Sequence, residues 1–296
     1  MSACLATVRS LPYPIQLALV ALIYLVAAKA SLVFAIAPGY ATAVWPPSGI
    51  AVASCLLLGE RIWPAVWLGA TLANLPVANS LFAAPAIACG NTLEAVTCAW
   101  FVRQLIGIGP QFGRGEDVLK FVAIAMAGCV IAATVAVHVL IADGAIGWQQ
   151  FAANWWTWWQ GDVTGIIIVT PLLLSWALHK DAFPPPGRAG EFLILAFSTA
   201  VTVAAVFGDW FETGKAQTLT FIVLPFIIWG AFRFTQREVT TVAAIISVIT
   251  IEYTLGGRGA FVAGTVNESL LLLLAFVSTV VVTGLVLTAT LAQRAR

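Results

Sequence analysis

The chain has 296 residues, 61% of them hydrophobic and only 9% charged, with a mean hydropathy of +0.98 and a formal net charge of +1. Soluble domains carry roughly a quarter charged residues, so this composition excludes one. The near-neutral charge gives no argument for nucleic acid, and no basic run or zinc-type spacing appears. What remains is an all-α, polytopic integral-membrane helix bundle.

Apolar runs punctuated by Pro, Gly and charge predict about ten transmembrane helices, the first over 14–36. Arg9, the apolar run and Ala28-Lys29-Ala30 have the outline of a signal peptide, yet the run continues past Ala30 and reads as a retained first helix. The second, 41–58, opens with AVWPPSGIA, where Trp45 precedes Pro46 and Pro47. Two prolines suit a first helical turn, and Ser48 and Gly49 keep the approach small and polar. The third covers 62–79. The fourth, 83–105, contains CGNTLE, in which Gly90, Asn91 and Glu94 share a face at helical spacing.

A fifth helix is predicted over 117–141 and a sixth over 154–178, opening with NWWTWWQGDVTG. Trp155, Trp158 and Trp159 precede Asp162 by seven, four and three residues and so share its face. Trp156 points elsewhere, toward the lipid interface. An aromatic belt alone would explain tryptophan near a membrane surface; the aspartate on the same stripe favours a pocket for a cation or planar polar molecule. The remaining helices fall at 191–207, 218–234, 237–256 and 266–293, with Pro171 and Pro225 expected to allow bending. The five cysteines never form C-x-x-C, and four lie in apolar segments, where thiols pack as small hydrophobes.

Placed on the connections, eleven of the fourteen basic residues fall on one side; only Lys215 and Arg258 fall on the other, and Lys29 lies within a helix. The positive-inside rule then puts both termini in the cytoplasm. Eight spans would require two of the shorter runs to be re-entrant or interfacial. Residues 1–12 read as a cytoplasmic N-terminus, 13–293 as a transmembrane domain and 294–296 as the start of a cytoplasmic stalk.

In this arrangement Lys29, Glu94 and Asp162 lie at a common depth, roughly 10–15 Å below the outer surface at 1.5 Å per residue. A charge at the centre of a helix costs about 2.5–3.5 kcal/mol on insertion scales, so such groups meet partners or water. Lys29 is expected to pair with Glu94 or Asp162, leaving one carboxylate over. The candidate cavity is therefore Lys29, Trp45, Pro46, Pro47, Ser48, Asn91, Glu94, Trp155, Trp158, Trp159 and Asp162.

These stretches resemble the bacterial membrane-associated sensor domain of the first type, the MASE family. The similar pieces are AVWPPSGIAVA (43–53), LLLGERIWPAVWLGATLAN (56–74) and GNTLEAVTCAWFVRQL (90–105), followed by EDVLKFV (116–122), WWTWWQGDVTGIIIVTPLLLSW (155–176) and LPFIIWGAFRF (224–234). They occur in the family's order from about Tyr13 to Arg296. The resemblance implies about eight spans and a sensory input domain in the bacterial inner membrane. Its C-terminal partner would be a histidine kinase, diguanylate cyclase or phosphodiesterase module, in two-component or cyclic-di-GMP signalling. It supplies no ligand and no binding residues.

The expected function is therefore a multi-pass sensor of a small ligand, a lipid or a membrane condition. The last helix carries the signal inward and offers an interface for a homodimer. Nothing follows Arg296, so the chain reads as the sensor part of a longer protein or a free-standing version. No nucleophile–base pair or metal motif suggests an enzyme, and no cofactor is expected. His138 and His179, at opposite ends of their helices, do not suit a haem. The alternative is a transporter of ions or small molecules, which charged residues and prolines within helices would suit; polarity confined to the outer half argues against it.

Overall fold

A computed structural model describes residues 3–32, 35–36, 41–42, 44–76, 80–107, 112–179, 183, 186–208, 210 and 219–294. Helix α1 (Ala3–Ser10) precedes α2 (Tyr13–Leu32), α3 (Pro46–Leu58), α4 (Trp63–Asn74), α5 (Ala83–Leu105) and α6 (Gly115–Ala142). Then come α7 (Phe151–Leu178), α8 (Ala189–Phe207), α9 (Leu224–Arg233), α10 (Gln236–Leu255) and α11 (Val266–Arg294). Every one of the ten predicted runs contains a helix, and the chain is a polytopic helical membrane bundle. Among the described residues six helices are long and apolar enough to cross a membrane: α2, α6, α7 with the 3-10 turn before it, α8, α10 and α11.

Three of the predicted runs are shorter than expected. The run 41–58 becomes a helix only at Pro46, because Ala35–Ile36 and Ala41–Thr42 pair as two short antiparallel strands. At the far end Gly59 turns the chain with φ at 97°, and its N–H donates to Cys55 O at 3.0 Å. The resulting 13 residues of α3 span about 20 Å, short of the ~30 Å hydrocarbon core. Helix α4, with 12 residues, is shorter still, and residues 77–79 of its predicted run lie outside the described residues.

The run 218–234 opens with a 3-10 turn, Thr220–Val223, and Pro225 falls in the first turn of α9. The expected bend at Pro225 is therefore corrected: at that position proline lacks only an N–H that has no intrahelical acceptor, so it starts the helix rather than kinking it. Pro171 does lie inside α7, which continues through it to Leu178.

The chain forms two compact units. One comprises Cys4–Ile108 and Lys120–Leu173; the other comprises Gly109–Leu119 and Leu174–Arg296, with Met1–Ala3. In the first, the core is built from Tyr24 of α2, Ile62, Ile87 of α5, Phe121 and Leu140 of α6, and Ile166 and Ile167 of α7, all essentially inaccessible. Leu22, Ile23 and Val26 on the outer face of α2 are exposed, as expected of a helix facing hydrocarbon rather than water.

The second unit is centred on α10 and α11. Leu270, Leu273, Leu274, Val277, Val280, Val281, Gly284 and Leu285 form a buried stripe at three- and four-residue spacing along α11. The stripe ends at Ala289, and Gln293 and Arg294 are exposed. Helix α10 begins with a capping box: Glu238 Oε2 accepts from Thr235 N at 3.0 Å and from Thr235 Oγ1 at 2.5 Å. Glu238 Oε1 meanwhile pairs with Arg237 at 2.7 Å in a buried ion pair, and the guanidinium lies 5.0 Å from the Phe183 ring and 5.7 Å from that of Trp176. Glu191 of α8 holds Arg233 of α9 in a two-pronged contact at 2.6 and 2.9 Å.

Candidate functional site

Helix α3 organises the polar centre of the first unit through its contact with α7. The Trp45 backbone N–H, just ahead of α3, donates to Gly161 O at 2.9 Å. One turn further on, Gly49 packs against Gly165, so closely that a methyl group on Gly165 would overlap the Trp45 carbonyl and one on Gly49 would lie 2.7 Å from Val169 Cβ. Thr170 Oγ1 then donates to Gly49 O at 3.1 Å. Two backbones meet here because neither carries a side chain at the crossing, as in small-residue packing of membrane helices.

This crossing carries Ser48 to Asp162, and the serine hydroxyl donates to Asp162 Oδ1 at 2.7 Å. Asp162 is completely buried. It therefore sits against the N-terminal turn of α3, where the helix dipole presents about half a positive charge. Prolines 46 and 47 have no N–H, and Ser48 N–H donates to Trp45 O at 3.1 Å. The helix end thus offers its field and one hydroxyl, rather than the usual fan of backbone donors.

Glu94 of α5, also with no exposed surface, faces Asp162, Ser48 and Cys129 of α6 at close range, yet neither of its oxygens makes a hydrogen bond of normal geometry. Asp162 Oδ2 is likewise unmatched. Trp158 approaches Asp162 from the preceding turn of α7. On the other side, Asn91 Nδ2 donates to the Tyr24 hydroxyl at 3.3 Å, and Tyr24 faces Trp45 and both carboxyl groups. Two carboxyl groups from separate helices therefore share a sealed polar cluster with serine, asparagine, tyrosine and two indoles.

The expected counter-ion is absent from this cluster. Lys29 is exposed on α2 and forms no ion pair with Glu94 or Asp162. The reason is helical phase: Tyr24 and Ala28 face the interior, and Lys29, 100° further round from Ala28, does not. The compensation available to Asp162 is the α3 N-terminus instead.

The tryptophans also divide differently from a continuous aromatic wall. Trp158 is buried beside Asp162, but Trp155 Nε1 donates to Thr134 Oγ1 at 3.0 Å and Trp159 Nε1 donates to Met126 O at 2.8 Å, both on α6. Trp155 and Trp159 stack with planes 7° apart and centroids 6.3 Å apart, so they serve the α6–α7 contact. Trp156 is 47% exposed, as its position on the other face requires. Pro46 and Pro47 shape the entry of α3 and supply no polar group to the cluster.

Sequence reasoning missed Tyr24 and Cys129. Tyr24 lies in the middle of α2 and is completely buried, a phenol that was legible as a polar exception between the apolar stretches on either side of it. Cys129 had no such signal, since a thiol in an apolar helix ordinarily packs.

At the opposite end of α3 two guanidinium groups meet the exposed carbonyls. Arg103 of α5 donates to Cys55 O and to Leu56 O, the latter at 3.4 Å, and pairs with Glu60 at 2.5 Å. Arg9 of α1 donates to Leu57 O at 3.0 and 2.6 Å. Cations at a helix C-terminus complement the dipole, so the short helix carries a carboxyl group at its positive end and arginines at its negative end.

A family model described as MASE1 matches residues 16–295. No curated protein and no solved structure matches the chain. Domains of this family are membrane sensory inputs, not themselves catalytic, and typically sit in signalling proteins that carry output modules. The chain is a multi-pass membrane protein, and with nearly its whole length covered by the family model it belongs to the MASE1 family of membrane-associated sensor domains.

Proposed function

We propose that the chain is the sensory input of a bacterial inner-membrane signalling protein, and that its responsive element is the cluster of Glu94, Asp162, Ser48, Asn91, Tyr24, Trp45 and Trp158. The observation that carries this reading is the Glu94–Asp162 pair, buried with three of its four carboxyl oxygens unmatched. Such a pair is poorly compensated in its resting packing, and any ligand that compensates it favours one packing of the bundle over another. A signal requires that difference in affinity between two states. The excess of basic residues on one set of connections supports reading the cluster as lying in the outer half of the membrane and both termini as cytoplasmic.

Helix α11 is the output path in this reading. Its 29 residues correspond to about 43 Å, longer than the ~30 Å core, and its buried stripe lets movement of α9 and α10 reach its C-terminal end. The output module is of histidine kinase, diguanylate cyclase or phosphodiesterase type, and paired α11 helices would join two copies. The test is to fuse the chain in frame to a cyclase module and measure product formation for Glu94→Gln and Asp162→Asn. Altered basal output or altered response in both supports the reading; wild-type behaviour in both removes the cluster from it.

A transporter reading draws on one observation, the short helix α3 ending at a buried carboxyl group, since broken helices aim their ends at substrates in transporters. Uptake by reconstituted liposomes decides it: protein-dependent flux supports transport, and binding without flux supports sensing.

A further inference from the structure

The geometry points to a binding site for one hard metal cation, of the alkali or alkaline-earth class, between Glu94 and Asp162; this rests on reading the same cluster as the responsive element. The unmatched side-chain atoms on the pair itself and on Asn91 are all acceptors; the unmatched donor of the cluster, Trp45 Nε1, faces Tyr24. Both Glu94 oxygens, Asp162 Oδ2 and Asn91 Oδ1 make no hydrogen bond of normal geometry, although Ser48 and Cys129 lie at close range to Glu94, and Glu94, Asp162 and Asn91 are at most 2% exposed. Ser48 directs its hydrogen to Asp162, and Asn91 directs an amide hydrogen to Tyr24.

Asn91 is evidence independent of the carboxyl pair. Its amide is held by a tyrosine from another helix, its oxygen is buried without a partner, and Asn91 shares the face of α5 that carries Glu94, one turn away. A single proton between two carboxyl groups would satisfy two of the four bare oxygens and leave the others unmet. An oxygen-liganded cation, with contacts of roughly 2.0–2.6 Å, takes several such oxygens at once.

The donor set also selects the class of ion. Carboxylate, amide and hydroxyl oxygens suit hard cations, whereas transition metals favour imidazole and thiolate. Among the described residues no group of three or more His, Cys, Asp or Glu could hold a metal; only two carboxyl groups take part here, and asparagine and serine complete the set. The positive end of α3 offsets the charge left over when the ion is monovalent.

The experiment uses the full chain in lipid nanodiscs, titrated with sodium, potassium, magnesium or calcium chloride against N-methyl-D-glucamine chloride at matched ionic strength. Thermal unfolding and calorimetry are the readouts. One of the four metal ions is expected to raise Tm saturably and bind with a measurable Kd, while glucamine does neither. Asn91→Ala is expected to weaken that Kd about tenfold, equivalent to 1.4 kcal/mol. The neutral pair Glu94→Gln with Asp162→Asn is expected to abolish the ion dependence while retaining the helical circular dichroism.

A flat response to all four ions between about pH 5 and 9 overturns the inference and leaves the pair to a proton. An unchanged Kd in Asn91→Ala overturns it as well, and that variant decides the matter if the double substitution fails to fold. Ion binding with no effect of the carboxyl substitutions on a fused cyclase would keep this site and remove the sensing role. Altered cyclase output with no ion binding would do the reverse.

Discussion

Ser48 and Asp162 are 114 positions apart, and the 2.7 Å bond between the serine hydroxyl and the aspartate joins the first turn of α3 to the middle of α7. Removing the hydroxyl leaves a buried carboxyl group without its one well-formed hydrogen bond. Ser48→Ala is expected to lower stability by about 1–3 kcal/mol. Unfolding followed by circular dichroism in mixed micelles checks this, and a change below the lower figure would mean another donor takes the hydroxyl's place.

The Gly49–Gly165 crossing is what brings that serine within reach. A methyl group at position 165 would run into the Trp45 carbonyl, which is main chain and cannot rotate away. Gly165→Ala is expected to destabilise by about 1–3 kcal/mol through overpacking and to separate Ser48 from Asp162. By contrast, Gly190 has nothing within 4 Å of its would-be methyl, and Gly190→Ala is expected to be neutral. Comparing the two Tm values distinguishes a packing effect from a general intolerance of substitution.

Lys29 is exposed and unpaired with either carboxyl group. Lys29→Met is therefore expected not to destabilise the protein, since an unpaired lysine on an outward face of a membrane-spanning helix contributes nothing to the buried pair. A loss of several kcal/mol would restore the lysine as counter-ion of the buried pair.

Arg103 caps the carbonyl end of α3 and pairs with Glu60. Bonds from a charged donor contribute about 1.5–3 kcal/mol, so Arg103→Ala is expected to cost an amount in that range and Arg103→Lys to recover only part, since one ammonium cannot match a planar fork. Full recovery by lysine in chemical denaturation would show that charge alone matters there.

Gly284 is the close-contact point of α11: a methyl there would lie 2.7 Å from Val239 Cγ1 on α10 and 3.3 Å from Ile227 Cγ2 on α9. Gly284→Ala is expected to cost about 1–3 kcal/mol and, in a cyclase fusion, to shift basal output. Unaltered output in a folded variant would detach α11 from signal transmission.

Composition and periodicity alone determined that the chain is a membrane helix bundle, because an apolar run is its own signal and needs no partner to be read. They likewise put Trp156 toward lipid and Trp158 with Asp162 on one face of α7, both consequences of helical spacing within a single segment. Ser48, Asn91, Glu94 and Asp162 were legible as polar exceptions in apolar helices. Their assembly was not. That α3 starts at Pro46, that Gly49 lets it meet Gly165, and that Tyr24 rather than Lys29 faces the carboxyl pair are facts about which helix lies against which, and at what rotation. Rotation about a helix axis is decided by the packing of its neighbours, so a buried phenol and an exposed lysine five residues apart on α2 become distinguishable only once the helices around them are in place.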